Sequence, residues 1–466
     1  MAFKKINQED IAYLRSVVPP CRVLVGEDIH EDYSHDEMPE YGSFFPDVVV
    51  EAESREEVRS VLRYANTHNI PVTPRGTGTG LCGACVAIQG GILLSVSGMN
   101  RILGVDKGTM TAVVEPGVLL VQLAEHLEEM QLLYPPDPGE KTATIGGNCM
   151  TNAGGMRAVA YGVTRDYIKG LEVVLPNGEV MMFGGDTAKC SSGYSLLHLM
   201  IGSEGTLGVV TKLVLNIVPL PSKFISLLVP FDDTGSCANA VPLLLQSGCT
   251  PVTLEYVERE VLLEAEKYLG KSFAHSSATA YLIVSFFGHS SDALKPVIDQ
   301  AAEVCLESGA LDVFISDTDN RQEAMWSVRG AFLEAIKSST PSMDECDVVV
   351  GIDKVSAFIA YTKELADEYK VRIRSFGHAG DGNLHIYVCK DSLSDEEWKK
   401  SASSIMDRLY QRAIEMRGQV SGEHGIGHAK RNYLLESIGE IQMQMMRGIK
   451  NVFDPKGIMN PGKIII

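Results

Sequence analysis

Apolar and polar positions along the first half of the chain change period repeatedly. Residues 6–18 place their apolar side chains at helical spacing, and residues 46–50 run apolar as a short strand. Ser54-Arg-Glu-Glu57 then has the Ser-x-x-Glu pattern of a helix start, with Val58, Val61, Leu62 and Ala65 on one face. Residues 70–73, 91–96 and 112–115 read as strands, and 118–130 as an amphipathic helix. This alternation predicts an α/β layout at the start of the chain. Asn177-Gly178, between apolar runs at 168–175 and 179–182, predicts a hairpin. A strand over 209–218 ends at Pro219 and Pro221, which mark a boundary. Beyond it, strands at 224–229, 280–287, 310–315, 348–352, 373–376 and 384–388 alternate with helices at 238–247, 294–308, 321–337, 354–369 and 395–416. That half predicts antiparallel sheet covered by helices, so the expected class for the whole chain is α+β.

One stretch stands out from the periodic background. Residues 74–83 read Pro-Arg-Gly-Thr-Gly-Thr-Gly-Leu-Cys-Gly. So many glycines allow positive φ and close backbone approach, and successive N–H groups can form a nest for a phosphate. Arg75 adds a fixed charge; a mobile surface turn is the plainer reading of the same residues. Gly78, Gly80 and Gly83 match the Gly-x-Gly-x-x-Gly spacing of a dinucleotide site. However, residues 84–96 are strand-like rather than helical, and Leu103 stands where the ribose-binding acid belongs, which argues against a Rossmann site. A second zone rich in Gly, Asn, Thr and Pro covers residues 134–162, too long for an idle loop in a compact domain. A third cluster lies at 202–208.

Composition narrows the partners. The 466 residues carry a formal net charge of −19, with 45% hydrophobic and 22% charged residues. This is ordinary globular composition, and its acidity disfavours nucleic acid and anionic membrane. The N-terminal stretch lacks a basic segment followed by an apolar one, and no apolar run is long enough to span a bilayer, so a cytoplasmic protein is expected. The ten cysteines are scattered, and Cys82-x-x-Cys85 has no second pair, so reduced thiols are expected and an iron–sulfur cluster is not. The acidic run 26–41, with His30 and His35, reads as a solvated loop.

Chemistry concentrates near the C-terminus. Four of the eleven histidines lie between 378 and 428. His378 and His385 flank Ala-Gly-Asp-Gly-Asn-Leu, a segment able to turn and bring both to one side. Glu423 and His424 follow in Ser-Gly-Glu-His-Gly-Ile-Gly. Two histidines and a carboxylate suit a divalent metal with open positions; hydrogen-bonded structural histidines are the alternative. His428 is a further candidate ligand. Arg329, on the expected helix 321–337, can fork onto a carboxylate, or be an ordinary surface arginine.

Taken together and in order, Pro-Arg-Gly-Thr-Gly-Thr-Gly, Pro-Pro-Asp-Pro (135–138), Thr-Ile-Gly-Gly-Asn (144–148), Gly-Ser-Glu-Gly-Thr-Leu-Gly (202–208) and Met-Asn-Pro-Gly (459–462) resemble the FAD-linked oxidases of the vanillyl-alcohol oxidase superfamily. The His378–His385 and Glu423–His424 blocks resemble the branch of glycolate oxidase D subunits, D-lactate dehydrogenases and D-2-hydroxyglutarate dehydrogenases. The resemblance implies a two-part FAD-binding domain over 1–220, an α+β cap over 221–420, and a tail, 421–466, returning to the flavin. It implies FAD contacts at Arg75, Gly76, Thr77, Gly78, Thr79, Gly80, Gly83, Pro136, Asp137, Thr142, Thr144, Gly146, Gly147, Asn148, Gly154, Gly155, Gly162, Glu204, Gly208, Val210 and Asn460. It further implies a divalent metal (zinc, iron or manganese) on His378, His385 and Glu423, with His424 as base and Arg329 on the substrate carboxylate. Thr79 stands where relatives with covalent flavin carry a His, which implies non-covalent FAD. Leu333 and Tyr387 replace the Thr and Asn of the hydroxyglutarate enzymes, which tilts expectation toward a small monoacid, D-lactate first. The implied reaction is oxidation of a D-2-hydroxy acid to the 2-oxo acid, with hydride transfer to the flavin. Electrons would then pass to an electron-transfer flavoprotein or, second, an iron–sulfur subunit.

Overall fold

Ser54 opens its helix by accepting the Glu57 N–H at 3.3 Å. Glu57 does not complete the reciprocal half of that cap; its carboxylate pairs with Arg22 at 2.6 and 3.0 Å instead. The helix Arg55–His68 buries Val58, Val61, Leu62 and Ala65, as the periodicity predicts. A computed structural model of the protein describes residues 3–187, 189–271 and 277–465. It separates into two compact units. The first holds the chain up to Ala153, then Val163–Leu220, then Glu423 onward; the second holds Gly154–Gly162 and Pro221–Gly422.

In the first unit, one sheet runs in the order Val23–Val25, Val48–Glu51, Ile92–Ser95, Val72–Arg75, and its last three strands are parallel. The Gly-rich loop thus leaves the carboxyl end of a parallel strand, and no helix follows it before Ile92. The chain's end returns here. Val72 donates to Ile458 O and Asn460 to Val72 O, at 2.8 and 2.7 Å, and Ile458 and Met459 join the core of Leu14, Val58 and Leu62. A second sheet is antiparallel throughout, in the order Ile102–Asp106, Thr111–Val114, Val209–Asn216, Ile168–Val174, Val180–Gly184. Its last two strands are the hairpin expected at Asn177-Gly178.

The second unit is built on one seven-stranded antiparallel sheet. Its order is Phe314–Ser316, Lys223–Phe231, Ala280–Gly288, Thr253–Glu258, Arg372–His378, Asn383–Cys389, Met343–Val349. Three expectations need correction. The strand expected at 348–352 is Met343–Val349, and Thr253–Glu258 is a strand that the apolar pattern does not reveal. Both carry acidic side chains that the fold buries: Glu255, Glu258, Glu345 and Asp347. The strand expected at 310–315 shrinks to Phe314–Ser316. The single helix expected over 321–337 is two, Asp319–Gly330 and Phe332–Ser338, which meet at Ala331.

Candidate functional site

The Gly-rich loop is held from behind by Arg75. This guanidinium is buried, donating to His35 O at 2.8 Å and Asp32 O at 2.7 Å. It therefore fastens the acidic run 26–41 to the loop. That run is the largely exposed loop expected, winding through short turns at Gly26–Asp28, Glu31–Ser34 and Pro39–Tyr41, but Ser34 and Asp36 within it are buried. Asp36 accepts Gly83 N–H at 2.6 Å and Met38 N–H at 3.1 Å. Burial pushes its carboxyl up to about 6 despite those bonds and Arg75. Gly78 has φ +88°, and a Cβ there would collide with the Arg75 guanidinium, so the turn admits only glycine.

Thr77 Oγ1 donates to Thr142 O at 3.1 Å and joins this loop to the second Gly-rich zone. There Thr144 caps Ile145–Thr151 by accepting Gly147 N–H at 3.1 Å. Pro136, Gly146 and Asn148 are buried, while Thr142 is exposed and Asp137 pairs with Lys141. Asn148 Nδ2 and Asn460 Oδ1 are buried with no partner among the described residues. Unmatched amide groups beside a glycine-lined turn fit a polar ligand such as FAD. Thr79 lies in the loop partly exposed, whereas Gly154, Gly155 and Gly162 fall in the segment that belongs to the second unit.

The remaining expected FAD residues tie the tail into the first unit. Glu204 is buried and accepts the N–H groups of Ile426 and Gly427, both at 2.7 Å. Burial raises its carboxyl to about 7, with those N–H bonds and the Lys463 and Lys430 charges opposing. Asn460 donates to Ala84 O at 2.8 Å and Glu204 O at 2.6 Å. Gly208 closes the third Gly cluster, and Val210 pairs with Val173 in the antiparallel sheet. Lys463, which sequence reasoning missed, donates to Val86 O at 2.5 Å, and burial lowers its ammonium to about 8.

In the second unit, His378 and His385 stand on the two arms of a hairpin, Arg372–His378 and Asn383–Cys389. Their rings are 5.4 Å apart, and both are buried. Each has a carboxylate behind it: Glu255 Oε1 lies 2.6 Å from His378 Nδ1, and Glu345 Oε1 lies 3.5 Å from His385 Nδ1. Such backing suits histidines that present their other nitrogen to a metal. Arg329 is not on the surface. It donates from Nε to Glu255 Oε2 at 2.8 Å, and its guanidinium carbon lies 5.5 and 5.0 Å from the ring centres of Phe332 and Phe376. Burial would raise the Glu255 carboxyl, but the His378 and Arg329 charges outweigh it and hold the group below its usual range. Tyr387 is buried and donates to Glu345 Oε1 at 3.2 Å. Glu255 and Glu345 escaped the sequence reading. The available signal was a carboxylate inside an otherwise strand-like run, Thr-Leu-Glu-Tyr-Val-Glu and Met-Asp-Glu-Cys-Asp-Val-Val.

Asp347 governs the way out of this unit. Its carboxylate accepts from Asn383 Nδ2 at 2.8 Å, Ser421 Oγ at 2.8 Å and Gly422 N at 2.9 Å. Asp347 is also opposite His385 in the sheet register. Glu423 follows Gly422 by one peptide bond and opens the tail that belongs to the first unit. Within that tail, His424 Nε2 is 3.8 Å from Glu423 Oε1, and the His424 carbonyl accepts from Cys82 Sγ at 3.0 Å. His428 stacks edge-on to Phe44 at 5.9 Å, and burial lowers its imidazole to about 4.

Comparison with known proteins identifies the family of both parts of the chain. Residues 46–184 match the FAD binding domain, and residues 220–464 match the C-terminal domain of FAD linked oxidases. The chain is 50% identical to a D-lactate dehydrogenase of Anaerostipes hadrus over 99% of its own length and 98% of that protein's. It is 35% identical to the glycolate oxidase subunit GlcD of Bacillus subtilis, covering 93% of this chain and 91% of the relative. Among solved structures, p-cresol methylhydroxylase has a TM-score of 0.82 at 19% identity, covering 99% of this chain and 98% of that one, a likeness of fold alone. The chain belongs to the FAD-linked oxidases and is an FAD-dependent oxidoreductase with the vanillyl-alcohol-oxidase type of fold.

Proposed function

We propose that the protein oxidises a short D-2-hydroxy acid, D-lactate first and glycolate second, to the 2-oxo acid. The observation that carries this reading is a buried group in the second unit, where Arg329 and His378 share the Glu255 carboxylate and His385 lies beside His378. A cation for a substrate carboxylate and a pair of metal-type ligands suit a 2-hydroxy acid, whose carboxylate and hydroxyl are on neighbouring carbons. Whole-length similarity to a D-lactate dehydrogenase supports the same choice. The hydroxyglutarate alternative is weakened by Leu333 and by Tyr387, whose hydroxyl is already bonded to Glu345.

His378, His385 and Glu423 would hold a divalent ion, which when bound supplies Lewis acidity toward the hydroxyl oxygen. FAD, when bound, supplies the hydride acceptor for C2. Arg329 orients the substrate through its carboxylate. An imidazole nitrogen of His424 takes the hydroxyl proton. Buried aromatic rings, Phe332, Phe376 and Tyr387, keep water from the Arg329 end of the group. We assign the electrons to a protein acceptor, an electron-transfer flavoprotein first and an iron–sulfur subunit second, because the chain carries no second redox motif. Mixing the reduced protein with each acceptor tests that assignment.

An anaerobic titration tests the reaction. D-Lactate should bleach the flavin, with glycolate slower and L-lactate and D-2-hydroxyglutarate near background. His424→Ala should retain its flavin spectrum while reduction by D-lactate falls by roughly a hundredfold or more, the usual worth of a general base. Single-turnover reduction at the wild-type rate in that variant would remove His424 from the role.

A further inference from the structure

Resting on the metal and substrate roles just described, we propose that Glu255 is a shared positioning residue. Its single carboxylate sets His378 for the metal and Arg329 for the substrate at the same time. The three residues come from three elements of one unit. Glu255 is on strand Thr253–Glu258, His378 ends the adjacent strand Arg372–His378, and Arg329 is on helix Asp319–Gly330. Tyr256 pairs with Gly377 in the antiparallel register, so Glu255 and His378 are opposed and face each other. Oε1 takes the His378 Nδ1 contact at 2.6 Å; Oε2 takes Arg329 Nε at 2.8 Å and Nη2 at 2.6 Å.

The two oxygens therefore do different work. Oε1 fixes the imidazole tautomer with its proton on Nδ1, which leaves the Nε2 lone pair as the ligand. Oε2 binds one edge of a planar guanidinium and so fixes that plane against Phe332 and Phe376. A carboxylate serving only as a counter-ion would need only the Arg329 contact. Glu258, on the same strand, supplies the comparison: it is also buried, yet its two oxygens accept from the single neutral residue Ser375, Oε1 from Oγ at 2.8 Å and Oε2 from N at 3.4 Å.

Glu255→Gln discriminates between these roles. An amide has one oxygen. Placed toward the permanently charged Arg329, it leaves the NH2 facing His378 Nδ1, which drives the ring proton to Nε2 and blocks the ligand position. In the full-length, flavin-loaded protein, chelator competition with zinc or manganese should show a 10–100-fold weaker metal affinity for the variant, the loss typical of an outer carboxylate. Flavin content should be unchanged, and excess metal should restore much of the lost kcat. Glu258→Gln should leave metal affinity at the wild-type value. If Glu255→Gln fails to fold, Glu255→Asp serves instead: it keeps the charge but is one methylene short of reaching both partners, and the same loss is expected. Wild-type metal affinity in the folded Glu255 variant, or an equal loss in Glu258→Gln, overturns the inference alone. A wild-type protein that takes up neither metal overturns the metal reading itself, and the inference with it.

Discussion

Glu204 makes stability depend on pH with a definite sign. Its carboxyl titrates at 4.5 in an unfolded reference and about 7 in the fold, chiefly through burial. Between those values the native state keeps a proton that the unfolded chain has released. Stability from this group therefore falls as pH rises from about 4.5 to 7 and is flat above. The gap corresponds to an effect on the order of 3 kcal/mol. Glu204→Gln removes the titration while keeping one acceptor for the Ile426 and Gly427 N–H groups. Urea unfolding of both proteins at pH 5 and pH 7.5 isolates the effect. Wild type should lose stability relative to the variant across the window. A difference that stays constant with pH would mean that Glu204 titrates normally.

At the scale of elements, the sequence was readable where local chemistry sets the structure. Asn177-Gly178 makes its hairpin, Ser54 caps its helix, and Ala-Gly-Asp-Gly-Asn-Leu turns the chain so that His378 and His385 become neighbours. The Gly-rich loop also keeps a non-Rossmann context, since strand rather than helix follows it. Legibility ended where burial contradicts polarity. Glu255, Glu345 and Asp347 are acids on buried strand faces, and only partners distant in sequence explain them: Arg329, Tyr387, Ser421 and their neighbours. The break at Ala331 has the same origin, because the helical pattern is continuous while two helices meet there. Asp347 offers the element-scale test. It receives donors from the hairpin and from the last two residues before the tail. Asp347→Ala takes away the shared buried acceptor of these three donors and should cost about 3 kcal/mol in urea unfolding. Asp347→Asn, which keeps one acceptor, should lose less. Equal stability for both variants and wild type would mean that the junction is held by other contacts.

At the scale of the whole molecule, the residues proposed for the two cofactors divide unevenly between the two units. Most of the expected FAD residues, from Arg75 to Asn148 and again at Glu204 and Asn460, lie in the first unit. The two metal-type histidines with their carboxylates lie on the sheet of the second. Flavin and metal should therefore be removable one at a time. Dialysis against a chelator at neutral pH should yield protein that keeps its flavin absorbance but is no longer reduced by D-lactate. Tight flavin retention follows because the contacts that hold the loop, from Arg75 and Asp36, and those from Glu204 to Ile426 and Gly427 in the tail are hydrogen bonds that need no metal. Loss of reduction follows because His378 and His385 would keep their carboxylates but have nothing to share with substrate. Returning zinc or manganese should restore bleaching without added FAD, and the metal that restores it at the lowest concentration identifies the native ion. If the chelator strips flavin and metal together, the groups are coupled through the tail that begins at Glu423. If reduction survives full metal removal, the histidine pair is structural, and Arg329 with His424 must carry substrate binding and proton transfer unaided.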